Sequence, residues 1–125
     1  MCSILLPINP EHVKNIFSGC KKYEYRKVKC TRDNIKKMII YATAPVMKVI
    51  GEAWIEEIIV DKPEIVWDQT KDFSGIKKDF FDRYYKGKTT AIAYKLGSIT
   101  EYKEPLNLES IGINYTPQSF VYMND

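Results

Sequence analysis

Residues 3–8 read Ser-Ile-Leu-Leu-Pro-Ile, an apolar run too short for a helix and consistent with a buried strand. Asn9 then offers an N-cap, and Pro10 suits the first helical position. Val13, Ile16 and Phe17 carry the i, i+3, i+4 stripe of a short amphipathic helix. Gly19 supplies its stop, because glycine reaches left-handed backbone angles without a Cβ clash. Residues 22–28 then alternate, with Tyr23 and Tyr25 on one face and Glu24 and Arg26 on the other.

Residues 37–43 predict a strand that halts at Ala44-Pro45, and residues 46–60 a longer β stretch rich in Val and Ile. Gly51 inside that stretch predicts a bulge or a sharp bend. Asp61 to Thr70 predicts a short helix. Ser74 is placed as the cap of a clearer one, with Ile76, Phe80 and Tyr84 on one face and Gly87 at its end. Residues 88–97 predict a strand that 99–103 extends. The tail from Tyr115 to Tyr122 predicts a turn at Thr116-Pro117 and a last strand. About five or six strands with two or three helices, irregularly interleaved, argue against a doubly wound parallel sheet. The expected fold is α+β or mainly β: a small, strongly bent β-barrel with helices plugging its ends.

Composition narrows the function classes. A chain of 125 residues with 45% hydrophobic positions fits one domain over 1–125, stable without disulfides or a structural metal. The net charge of +3 tolerates an anionic partner without demanding one. Cys2, Cys20 and Cys30 show no C-x-x-C spacing, and His12 is the sole histidine, so no metal or cofactor is expected. Reduced thiols, the lack of a basic n-region, and no apolar run near the roughly 20 residues that cross a bilayer predict a cytoplasmic protein without membrane contact. A monomer is the default.

The chemistry concentrates in Ser18-Gly19-Cys20-Lys21-Lys22-Tyr23-Glu24-Tyr25-Arg26-Lys27. On spacing alone, Glu24 and Arg26 read as a solvated ion pair of little energetic weight. If their face points into a cleft, burial requires the charges to be matched to each other or to a ligand. Tyr23 and Tyr25, packing against Phe17 or the second helix, would turn them toward such a pocket. Elsewhere, Trp54 and Trp67 read as packing, and Lys36-Lys37 and Lys77-Lys78 as solvated faces. His12 reads as a surface residue, and Cys20 as packing rather than a nucleophile. Thr43, Gln118 and Ser119 lie beside turns, where local capping competes with reading a polar ligand edge.

Gly19-x-Lys21-x-x-Glu24-x-Arg26, directly after a short amphipathic helix, resembles the G-x-K-x-x-E-x-R signature of ASCH domains. These belong to the PUA-like superfamily with the PUA, YTH and EVE domains. The opening Ile4-Leu5-Leu6-Pro7-Ile8, the segment Tyr41-Ala42-Thr43-Ala44-Pro45, the turn Tyr84-Tyr85-Lys86-Gly87-Lys88 and the ending Pro117-Gln118-Ser119-Phe120 also resemble this family. The resemblance implies a bent, partly closed barrel and a cleft lined by Gly19, Lys21, Glu24 and Arg26. It implies RNA or a modified nucleoside as the ligand, and a binding module with a regulatory role. Lys21 would be a mobile charge for a phosphate or carbonyl, and Arg26 a planar fork for an anion or base edge. Glu24 would accept from an exocyclic amine. Tyr41 and Tyr84 would wall the base, with Thr43, Gln118 and Ser119 reading its edges.

The alternative is a hydrolase in which Lys21 and Glu24 are catalytic. One branch of the family is an amidohydrolase acting on N4-acetylcytidine, and some members are ribonucleases. That amidohydrolase branch has Thr where this chain has Glu24, and an acidic residue before the second helix, near which only Asp68 and Asp72 lie here.

Overall fold

Alternate residues of β1 (Cys2–Ile8) enter different hydrophobic clusters. Ile4, Leu6 and Ile8 join one, and Leu5 joins another together with Tyr41 and Val49. A strand buried on both faces belongs inside a sheet. β1 is accordingly flanked by β3 (Ile35–Ala42), parallel, and by β6 (Val121–Asn124), antiparallel. β2 (Tyr23–Arg26), β4 (Lys48–Asp61) and β5 (Ala91–Leu106) complete one mixed sheet in the order β2-β5-β4-β3-β1-β6. This computed structural model describes residues 2–32 and 34–124.

The helices are α1 (Pro10–Ser18), α2 (Pro63–Thr70) and α3 (Lys78–Tyr84), with 3₁₀ turns at Lys71–Phe73 and Leu108–Ile111. Asn9 caps α1 as expected, its side-chain oxygen accepting from the Glu11 N–H at 2.9 Å, and Gly19 ends it at φ 89°. Val13 and Ile16 of α1 pack on Met38, Ile40 and Tyr94 of the sheet. α2 and α3 bring Val66, Phe81 and Tyr85 against Tyr25, Ala91 and Ala93. Among the described residues no helix is long and apolar enough to cross a membrane.

The α+β class, the strands and the three helices match the expectation, but the sheet is bent without closing into a barrel. β2 and β6, four residues each, remain its two edges. They do not pair with each other. Instead Arg26 reaches from the end of β2 and donates to the Pro7 carbonyl on β1. The gap is where the candidate site lies. The two segments expected at 88–97 and 99–103 form the single strand β5, which begins at Ala91.

Ser74 is not the cap of α3. That helix begins at Lys78, and the Ser74 hydroxyl turns to the Ile76 carbonyl at 2.9 Å. Ile76 therefore precedes the helix, and only Phe80 and Tyr84 share the expected face. Gly87 lies just past the helix end with φ 78°.

The bend comes from register shifts, between Ile40 and Tyr41 against β4 and between Val49 and Gly51 against β5. A Cβ on Gly51 would lie 2.6 Å from the Thr100 carbonyl oxygen and 2.7 Å from the Phe17 ring. Gly51 thus lets the bend form where α1 presses on the sheet. Gly51→Ala is expected to lower stability by about 1–3 kcal/mol through overpacking, read as a fall in the urea midpoint at unchanged slope.

Candidate functional site

The site begins with the turn after α1. Gly19 reverses the chain, the Lys21 N–H donates to the Asn15 carbonyl at 3.0 Å, and the Lys22 N–H to the Phe73 carbonyl at 2.8 Å. The Leu96 N–H closes on the Lys22 carbonyl at 2.9 Å. These bonds tie the turn to both β5 and the loop leading to α3. Lys21 is thereby driven inside, with 1% of its surface exposed. Its ammonium donates to the Ser74 carbonyl at 2.8 Å and lies 4.8 Å from the centre of the Tyr25 ring. Lys21 is therefore a fixed buried amine, not the mobile charge expected. Burial lowers its pKa, the Glu24 carboxylate opposes that shift, and Arg26 adds to it. One hydrogen bond leaves an ammonium with further donor capacity.

Gly75 makes this burial possible. It holds φ 69°, and a Cβ there would lie 2.4 Å from Lys21 Cβ. The loop backbone lies directly on the lysine stem, which only glycine allows.

Glu24 is buried, and its Oε2 lies 3.2 Å from Arg26 Nε. The solvated reading of this pair is thus overturned: alternation sends Tyr25 to the helices, where it donates to Thr70 Oγ1 at 2.7 Å, and leaves the charges facing inward. Arg26 Nε is buried and out of line for a hydrogen bond with the carboxylate. The pair is held by charge.

Lys21, Glu24, Arg26 and Tyr84 line one cavity of about 140 Å³, together with His12, Ile76 and Phe80. Phe80 and Tyr84 lie parallel, 6.4 Å apart at 9°, one helical turn from each other on α3. The Tyr84 hydroxyl donates to the Tyr25 carbonyl at 3.3 Å, and that of Tyr85 to the Arg26 carbonyl at 2.8 Å. Burial raises the pKa of Tyr84 and pushes Tyr25 up to about 12, so both rings stay neutral donors.

His12, expected at the surface, lines this cavity. It is half-buried, stands edge-on to Phe80 at 5.5 Å, and its Nδ1 is buried without a hydrogen-bond partner among the described residues. Burial first, then the nearby Lys21 charge, lowers its pKa. Helical spacing carried the signal, since His12 stands four positions before the buried Ile16.

The remaining candidates scatter. Gln118 and Ser119 are exposed but line a notch of about 180 Å³ next to Arg26, Lys27 and Tyr84. Tyr41 is not a wall of this cleft: it is 1% exposed, packed with Leu5, Val49 and Ile113. Thr43 serves the turn after β3, donating to the Ile8 carbonyl at 3.0 Å and accepting from the Val46 N–H at 3.1 Å. Gly19 acts by turning the chain and is exposed. Cys20 is exposed rather than packed, its thiol 3.2 Å from the Ser18 hydroxyl. Trp67 packs on Phe81, whereas Trp54 stays 44% exposed on the outer sheet face. Asp68 pairs with Lys71 at the surface, and neither it nor Asp72 lines the cavity. Among the described residues no three His, Cys, Asp or Glu side chains gather to hold a metal ion.

A family model described as a domain of unknown function (DUF365) matches residues 1–116. An ASCH domain-containing ribonuclease of Zymomonas mobilis is 30% identical over 118 residues, covering 91% of this chain and 79% of that protein. The chain belongs to the DUF365 family and is an ASCH domain protein. The crystal structure of ASCH from Zymomonas mobilis superposes at a TM-score of 0.88 with 28% identity, covering 98% of this chain and 87% of that one. The ASCH domain is also similar to segments of two Ureaplasma parvum proteins. One is an ATP synthase subunit alpha, at 26% identity, and the other a large ribosomal subunit protein uL22, at 24%. Each alignment covers 97% of this chain, but it spans only 15% of the first protein and 39% of the second.

Two outcomes test this geometry. Gly75→Ala is expected to cost about 1–3 kcal/mol of stability and to expose Lys21, seen as faster reaction of that amine with an acylating reagent. His12 gives a pH signature. Its folded pKa lies below 6.5, so as pH falls through 6.5 the unfolded chain takes up a proton that the folded imidazole refuses. Stability is lost in that window. In His12→Gln this contribution is expected to vanish from the difference between unfolding midpoints measured at pH 7 and pH 5.

Proposed function

We propose that this ASCH domain binds single-stranded RNA in the cleft and cleaves it. The observation that carries the reading is the buried Lys21 amine, of lowered pKa, in one cavity with a matched Glu24–Arg26 pair. A lysine that only clamps phosphate is best left exposed and fully charged. Desolvation favours the neutral amine, the form that can accept a proton. The substrate class is supported by the ribonuclease relative from Zymomonas mobilis and by the similarity of fold.

In this reading the RNA 2′-oxygen attacks its own 3′-phosphorus while the bond to the 5′-oxygen of the next nucleotide breaks. Neutral Lys21 accepts the 2′ proton, and water supplies a proton to the departing 5′-oxygen. Arg26 faces the charge on the phosphate oxygens, and the products are a 2′,3′-cyclic phosphate and a free 5′-hydroxyl. Glu24 holds the guanidinium in place. Removal of an acyl group from a modified nucleoside has less support, because Glu24 replaces the threonine and both Asp68 and Asp72 are outside the cavity. A regulatory role would follow from the same RNA contacts.

The test compares a labelled single-stranded RNA with its 2′-deoxy counterpart. Cleavage is expected for RNA alone. Lys21→Met, which keeps the stem under Gly75 and removes the amine, is expected to cut the rate by about 100-fold or more with binding changed little. Binding of both strands by the wild type without product would refute cleavage and leave a reader domain.

A further inference from the structure

The inner cavity adjoins two other recesses. Asn9, His12, Ile76 and Phe80 are shared with an outer groove of about 770 Å³, and Arg26 and Tyr84 with the notch of about 180 Å³. The groove and the notch have no lining residue in common, so the three compartments follow one another in a line. A socket for a free nucleoside encloses most of its ligand. This one is flanked by a recess on either side.

Charge gives the line a direction. The outer groove carries Lys77 and Arg83 against Glu11 and Asp79, a balanced set. The notch carries Arg26 and Lys27 with no carboxylate among its lining residues. Lys27 is exposed, with its ammonium 4.6 Å from the centre of the Tyr84 ring. Phe80 lies on the border between groove and cavity, its ring 40% exposed and parallel to that of Tyr84. That is a wall for flat groups on an element otherwise polar at its surface.

On the RNA reading above, we propose that one strand lies across all three compartments. A phosphate sits at the Lys27–Gln118–Ser119 notch against Arg26, which borders both compartments, the ribose and base of its nucleotide lie in the inner cavity beside Lys21 and Tyr84, and the neighbouring nucleotide stacks on Phe80 in the outer groove. The ligand is then an oligonucleotide rather than a free nucleoside, and recognition needs at least two linked nucleotides. His12, at the border, faces Lys21, Glu24 and Arg26 on one side and Glu11, Lys77, Asp79 and Arg83 on the other. It is the polar group at which the strand crosses from base pocket to groove.

The experiment measures displacement of a labelled tetrauridylate by uridine monophosphate and by oligouridylates of two, three and four nucleotides. The Lys21→Met protein is used, so that nothing is consumed. Affinity is expected to rise about tenfold or more from the mononucleotide to the trinucleotide and then level off. Phe80→Ala is expected to weaken the trinucleotide about tenfold, and the trinucleotide more than the mononucleotide. Phe80→Leu, which keeps apolar bulk without a stacking face, serves should the alanine variant not fold, and is expected to show the same loss. Lys27→Ala is expected to lower the slope of log affinity against log salt by about 0.7. Binding of equal strength at every length, or a Phe80 variant equal to wild type, overturns the three-part track while the RNA reading stands. Absence of binding at every length overturns both.

Discussion

A lysine amine is costly to bury unless its hydrogen bonds are replaced, and Lys21 is 1% exposed. Its compensation comes from the Ser74 carbonyl, a group fifty-three residues away in sequence. That contact sets much of the local structure. The loop must approach so closely that position 75 has no room for a Cβ, and the Lys22 N–H must bond to Phe73 to hold the two segments together. The cost that remains after this compensation appears as the lowered pKa. The fold and the chemistry of the site therefore share one origin, because the loop that shelters the amine also desolvates it.

The open sheet is the second constraint. Closing β2 onto β6 would remove two exposed edges, a liability that sheets manage by closure or cover. Here the edge strands are four residues long, and Arg26 spans toward β1 with a single hydrogen bond to Pro7. The cavity and its notch lie along that incomplete seam. Had the barrel closed, Glu24 and Arg26 would be a buried ion pair with no access, and such pairs seldom repay their desolvation. With the sheet open, Arg26 keeps part of its side chain exposed and lines the notch.

The sequence was legible where a local rule operated. Asn9-Pro10 and Gly19 bounded α1, alternation separated Tyr25 from Glu24 and Arg26, and Gly51 marked the bend. It was less legible where a backbone group or a distant element decided. Nothing in the side chain of Ser74 announces that its carbonyl will hold a lysine, so its hydroxyl suggested a helix cap. Tyr41 and Thr43 are next to each other's strand end, yet the parallel pairing of β1 with β3 sends Tyr41 into the cluster around Leu5 and gives the Thr43 N–H to Ile8. His12 was read as a surface residue from its place near the start of α1, although the buried stripe of that helix runs beside it.

The charge arrangement also bears on whether the cleft binds or turns over its ligand. Glu24 and Arg26 face each other as opposite charges and burial disfavours the charged form of Lys21, so the inner cavity attracts a phosphate less strongly than its two cations would alone. Further attraction comes from the rim, where Lys27 stands exposed beside Gln118 and Ser119. In the proposed reaction, burial falls on the amine that can give up a proton, while the permanently charged guanidinium supplies electrostatic support. On that reading, the division between a proton-transferring amine and a fixed positive charge matches a transition state of increasing negative charge.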